Sequence, residues 1–164
     1  MRVMVFTEGT ILYHAAAVNQ TRETIVQQVK DKHPSIYEFS SYLPIGEAPR
    51  KLTEWSKQGY QILYMTSRTK PSEIQDIKNV LTNHHFPEGE LLHRSNYDDY
   101  AAILAKNIPD IIIEDDCESI GGSPMMIYSK LDPDLKTRIT SIPVKEFAGI
   151  NHLPDKLMEK TNLN

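Results

Sequence analysis

Five short apolar runs punctuate the chain, at residues 3–6, 61–65, 91–92, 111–113 and 142–144, each bounded by polar or turn-forming residues. They are rich in Ile, Leu and Val and lack apolar/polar alternation, the pattern of strands covered on both faces. Between them the period lengthens to that of a helix. Residues 45–59 place Ala48, Leu52 and Trp55 on one stripe and end at Gly59, a residue suited to a helix C-terminus. Residues 71–84 begin with Pro71 in the first turn and repeat Ile74, Ile77, Val80 and Leu81. A shorter helix from about residue 96 to 106 carries Tyr100, Ile103 and Leu104, and another over 21–30 turns Ile25, Val26 and Val29 inward.

Strands alternating with helices predict an α/β fold, a parallel sheet with right-handed crossovers and helices on both faces. The interval 13–43 is longer than a connection needs, so it predicts a small helical insertion above the sheet. Residues 156–164 read as a fraying end. At 164 residues the chain fits one domain able to bury a core without staples.

Composition narrows the function classes. Hydrophobic content of 40%, charged content of 24% and a net charge of −4 suit a water-soluble protein. No run of five or more basic residues appears, which argues against a nucleic-acid polymer as partner. The start of the chain is too short in apolar residues for a signal peptide, and no run reaches membrane-spanning length, so the expected location is cytoplasmic. The single cysteine, Cys117, excludes an internal disulfide and a multi-cysteine zinc site. The six histidines show no paired spacing with an acidic partner, which argues against zinc.

In an open parallel sheet, ligands bind beyond the carboxyl ends of the strands. After the first strand comes Thr7-Glu8-Gly9-Thr10, after the second Thr66-Ser67-Arg68, and after the fourth Glu114-Asp115-Asp116. Adjacent carboxylates hold a hard cation such as Mg²⁺, which shares its remaining positions with water and substrate phosphate. Hydroxyls and backbone N–H groups at a strand-to-helix turn hold phosphate oxygens, and Arg68 adds a charge-assisted contact. The aromatics Tyr37, Phe39 and Tyr42 suit packing of the insertion onto the sheet, or, in a sharper reading, stacking on a nucleobase.

The order of these motifs resembles the haloacid dehalogenase-like superfamily of phosphohydrolases, and in phrasing its 5'-nucleotidase-like members. Glu8-Gly9-Thr10-Ile11-Leu12 looks like the second half of the first motif, LYMTSR (63–68) like the second, and IIIEDD (111–116) like the last. The resemblance implies a Rossmann-like three-layer sandwich with a mostly parallel five-stranded sheet of order 5-4-1-2-3, the insertion forming a small cap. It implies Mg²⁺ held by Asp115 and Asp116 together with Glu8. Phosphate would be held by Gly9, Thr10, Thr66, Ser67 and Arg68, with Arg94 or Lys106 as the neutralising cation. Active members attack phosphorus with the first Asp of the first motif and use the second as general acid and base.

Here the two positions depart from the pattern. Aligning Gly9-Thr10 puts Phe6 at the nucleophile position and Glu8 at the acid/base position; a turn one residue shorter puts Thr7 at the nucleophile position. Two functions are compatible with this departure. One is a weak phosphomonoesterase in which Glu8 activates water and Mg²⁺ polarises the phosphate of a small molecule such as a nucleotide. The other is a non-enzymatic module that binds such a ligand, or a protein partner, on the same fold. A receiver-like domain fits less well, because it needs its acidic pair after the first strand, whereas the triple acid here comes after the fourth.

Overall fold

A computed structural model describes residues 1–95 and 99–157. The expected helix start at residue 96 and most of the expected fraying tail lie outside the described residues. Five strands form one parallel sheet: β1 (Arg2–Phe6), β4 (Gln61–Met65), β5 (Glu90–Leu92), β6 (Ile111–Asp115) and β7 (Thr140–Val144). Strand β1 lies in the centre, in register with β4 on one side (Phe6 opposite Met65) and β6 on the other (Val5 opposite Ile113). The observed order, β5-β4-β1-β6-β7, differs in its labels from the 5-4-1-2-3 expected. The labels shift because β2 (Leu12–Tyr13) and β3 (Leu43–Pro44) pair with each other, outside this sheet. Counted over the five sheet strands alone, the neighbours read 3-2-1-4-5 from one edge.

Alternate residues of the central strands feed two cores. Val3, Val5, Ile62, Tyr64, Ile111 and Ile113 point to the face covered by α2 (Ala48–Lys57) and α3 (Pro71–Asn83), where they meet Leu52, Trp55 and Ile77. Met4, Leu63, Met65 and Ile112 point to the other face, against Ile103 and Leu104 of α4 (Tyr100–Lys106). The same face is completed by α5 (Ile127–Lys130) and α6 (Pro133–Arg138), which the apolar periodicity does not announce. Covering on both faces explains why these strands read as unbroken apolar runs.

The segment between β1 and α2 is folded rather than extended. The β2–β3 pair ties its two ends together, and between them lie α1 (Arg22–Lys30) and 3-10 turns at Ala15–Ala17, Pro34–Tyr37 and Phe39–Ser41. Thr21 starts α1 by accepting a hydrogen bond from the Thr24 N–H at 3.2 Å. The Phe39–Ser41 turn packs on α3, and α1 packs on the turn after β6, where Arg22 forms an ion pair with Glu118. The segment therefore bridges the carboxyl edge of the sheet. Among the described residues no helix is long and apolar enough to cross a membrane.

Candidate functional site

Because the five strands are parallel, the turns after β1, β4, β6 and β7 emerge on one edge. The first of these turns is tight. The Thr7 carbonyl accepts from both Ile11 N–H and Leu12 N–H at 3.0 Å, and Gly9 sits at φ +86°, the left-handed region that favours glycine. A β-carbon on Gly9 would lie 2.8 Å from Asp115 Oδ2, so the glycine lets this backbone approach the carboxylate closely. Thr10, fully buried, exchanges two hydrogen bonds with Asp115: its hydroxyl donates to Asp115 Oδ2 at 2.9 Å and accepts from the Asp115 N–H at 3.1 Å.

Asp115, Asp116 and Glu146 form a cluster in which one oxygen from each lies within 4.8 Å of the others. Cys117 turns the chain after β6 in a left-handed conformation, φ +54°, and gives its N–H to Asp115 Oδ1 at 2.9 Å. Glu146 is held by Ser119, whose N–H and hydroxyl each donate to one carboxylate oxygen at 2.7 Å. Burial pushes the carboxyls of Asp115 and Glu146 above the usual carboxylate range, the Cys117, Thr10 and Ser119 donors pull them partly back, and the neighbouring acids push them up again. Three carboxylates brought together, two of them buried and one partly exposed, favour a counter-cation. The set is all oxygen and all anionic, which is the donor chemistry a hard divalent ion takes.

Glu146 is not among the ligands expected from the sequence. The signal for it is the strand-end rule applied to the fifth strand, since Glu146 lies two residues past Val144 on the same carboxyl edge. Glu8, expected as the third ligand, is not part of the cluster. Its carboxylate is drawn to the β4 side, where Thr66 donates to Oε1 at 2.6 Å, Thr7 donates to Oε2, and Arg68 Nε stands 3.3 Å from Oε1. Glu114 is also spent elsewhere. It accepts the N–H groups of Ile127 and Tyr128 at 2.8 Å each and so fixes the start of α5.

A cavity of about 470 Å³ opens above this edge. Its polar wall includes Glu8, Ser67, Arg68, Arg94 and Lys130, and Asp115 and Glu146 also line it. Arg68 lies over the Phe39 ring with Cζ 4.5 Å from the centroid and donates to Ser67 Oγ at 3.0 Å; Arg94 lies 4.4 Å over Tyr100. Phe6, one of the two positions where the resemblance would place an attacking carboxylate, closes β1 with its ring 5.8 Å from that of Tyr100. Lys106 is corrected by the fold. It ends α4 and lines a separate depression with Arg2 and Asp110, at the amino edge of the sheet, so it cannot reach the cavity.

The sequence matches no protein-family model and no curated protein. Solved structures do match. A chain of the Pnkp1/Rnl/Hen1 complex superposes with a TM-score of 0.56 at 12% identity over 88% of this chain and 46% of that one. This chain thus spans less than half of that protein's length. A class C acid phosphatase from Bacillus anthracis, with tungstate bound, superposes with a TM-score of 0.54 at 10% identity over 90% of this chain and 68% of that one. The chain shares its fold with these two structures. At these identities the likeness is one of fold alone.

The inserted segment contributes His14 to the same cavity, together with Tyr37 and Phe39. His14 is almost fully buried, with its Nε2 2.8 Å from Gln28 Oε1 and its ring stacked beside His33. Burial lowers its pKa, the Gln28 contact opposes this, and His33 lowers it further. A base whose folded pKa lies below its unfolded value of 6.5 contributes stability above pH 6.5 that is lost as the pH falls toward the folded pKa. A ¹H–¹³C NMR titration is expected to place the His14 midpoint below 6.5; a midpoint above 6.5 would show that the ring is charged in the fold.

Proposed function

We propose that the protein is a divalent-cation-dependent binding protein for a phosphorylated small molecule, such as a nucleotide, built on a phosphohydrolase-like fold that has lost the covalent step. The observation that carries this reading is the pairing, in one cavity, of Asp115 and Glu146 from the acidic cluster with Arg68, Arg94 and Lys130, beside a β1 that ends in Phe6. Mg²⁺ fits the donor set; held by Asp115, Asp116 and Glu146, it would neutralise the buried carboxylates and offer its other positions to phosphate oxygens. The arginines would take the remaining oxygens, Arg68 and Arg94 each having a buried Nε with no hydrogen-bond partner among the described residues.

Binding is favoured over hydrolysis for two reasons. A phenyl ring cannot form an acyl phosphate, and Thr7, the alternative nucleophile, is fully buried with its hydroxyl 3.1 Å from the Met65 carbonyl and bonded to Glu8. Glu8, the remaining base, has its carboxylate engaged by two hydroxyls and a guanidinium. The fold neighbour solved with tungstate, a tetrahedral oxyanion, supports the ligand class.

The test is a thermal-shift and turnover screen with nucleoside monophosphates and sugar phosphates, with and without Mg²⁺. A ligand at about 100 times its Kd is expected to raise the Tm by roughly 5–10 °C. The shift should need Mg²⁺, and phosphate release should stay at background. Turnover that disappears in Glu8→Gln would replace this reading by the water-activating enzyme; no Mg²⁺-dependent shift with any ligand would remove both.

A further inference from the structure

The basic side of the cavity already holds an anion, and it belongs to the chain. Two hydroxyl donors and a cation converge on the Glu8 carboxylate: the Thr66 hydroxyl at 2.6 Å, the Thr7 hydroxyl, and the Arg68 guanidinium, which forms an ion pair with Nε 3.3 Å from Oε1. The donors come from two adjacent strand ends, both fixed by the sheet. Thr7 N–H donates to the Met65 carbonyl at 2.9 Å, and the Arg68 N–H donates to Thr66 Oγ1 at 3.1 Å, which orients the Thr66 hydroxyl proton outward toward Glu8. Thr7 and Thr66 are wholly buried, and Arg68 is pinned over Phe39. Glu8 by contrast extends from a turn, lines the cavity and precedes Gly9 in its left-handed conformation.

We infer that Thr7, Thr66 and Arg68 form an oxyanion seat that Glu8 occupies in the ligand-free protein, so that a ligand phosphate enters by displacing an internal competitor. This rests on the reading of the cavity as a phosphate site and says how that site is regulated. A pair of buried hydroxyl donors and a guanidinium make a preformed anion receptor, and the Glu8 carboxylate accepts from both hydroxyls and pairs with Arg68. An arriving phosphate meets a filled seat and a like charge; it binds only as far as its own contacts exceed those of Glu8. The seat is thereby protected from weak anions and opens to a ligand with other anchors, such as the carboxylate-held cation.

Removing the competitor should therefore strengthen anion binding, the reverse of what losing a binding residue does. Titration calorimetry with inorganic phosphate, on the full chain, is expected to give at least tenfold tighter binding for Glu8→Ala than for wild type. Glu8→Gln, nearly isosteric and free of charge, should move the same way and remains informative if the Ala variant does not fold. Adding Arg68→Met to Glu8→Ala should cancel the gain. Phosphate affinity that is unchanged or weaker in both Glu8 variants overturns the seat. The Mg²⁺-dependent shift of the wild type reports on the wider reading separately: if it is present while the Glu8 variants gain nothing, the seat fails and the binding function stands. If it is absent while they gain, the seat stands without the cation.

Discussion

Asp115→Asn is expected to abolish the Mg²⁺-dependent thermal shift while leaving the ligand-free protein at least as stable as wild type near neutral pH. The two halves of this result have one cause. Asp115 is buried beside two other carboxylates, and both burial and Asp116 push its pKa up, so its charge at neutral pH is a cost to the fold. An amide removes that cost. It can keep the hydrogen bond from the Cys117 N–H through its oxygen, and its NH₂ group can donate to the Thr10 hydroxyl. A residue that served only structure would behave oppositely, since removing a satisfied buried partner usually destabilises. Melting curves of both proteins with and without Mg²⁺ decide the matter. A retained shift in the variant would show that the cation, if bound, sits elsewhere.

The fold is largely legible in the sequence because its strands are covered on both faces. The runs Val3–Val5 and Ile111–Ile113 are apolar at every position since successive residues enter different cores, and that continuity is what parallel strands between helix layers show. Helices α2 and α3 declare themselves by a single apolar stripe. The elements that escape are short. The two-residue strands β2 and β3 offer no period to detect, and α5 and α6, at four and six residues, complete barely one turn or two. Their positions come from tertiary contacts, Glu114 capping α5 among them.

The candidate site is legible to a similar depth. Strand-end reasoning assembles Thr7, Thr10, Thr66 and Asp115 on one edge, because a parallel sheet leaves no other place for them. Lys106 is excluded by the same topology: a crossover helix runs antiparallel to its strands, so the last residue of α4 must return to the amino edge. Glu8 differs in kind. Its position in the turn is set by the sequence, but the direction of its side chain depends on whether it turns to the hydroxyls of Thr7 and Thr66 or to the acidic cluster, a competition that spacing cannot express.

Glu114→Ala is expected to destabilise the protein by about 3–5 kcal/mol, lowering the Tm by roughly 10 °C, while the protein that remains folded keeps its response to Mg²⁺. The adjacent acids of β6 thus have separate tasks. Glu114 faces the layer of α4 and α5, and each of its oxygens accepts one backbone N–H at 2.8 Å, from Ile127 and Tyr128. Alanine leaves both donors without a partner in a buried place and opens a cavity; an unsatisfied buried N–H costs about 1–3 kcal/mol. Glu114→Gln should fall between, keeping one acceptor and losing the ionisation cost that burial imposes on the carboxylate. Chemical unfolding gives the ordering wild type, Gln, Ala, and thermal shift with Mg²⁺ gives a difference unchanged among the three. A Glu114→Ala protein as stable as wild type would mean the capping contacts carry no net energy. Loss of the Mg²⁺ response in Glu114→Gln would instead place that carboxylate in the cation site, beside Asp115 rather than behind it.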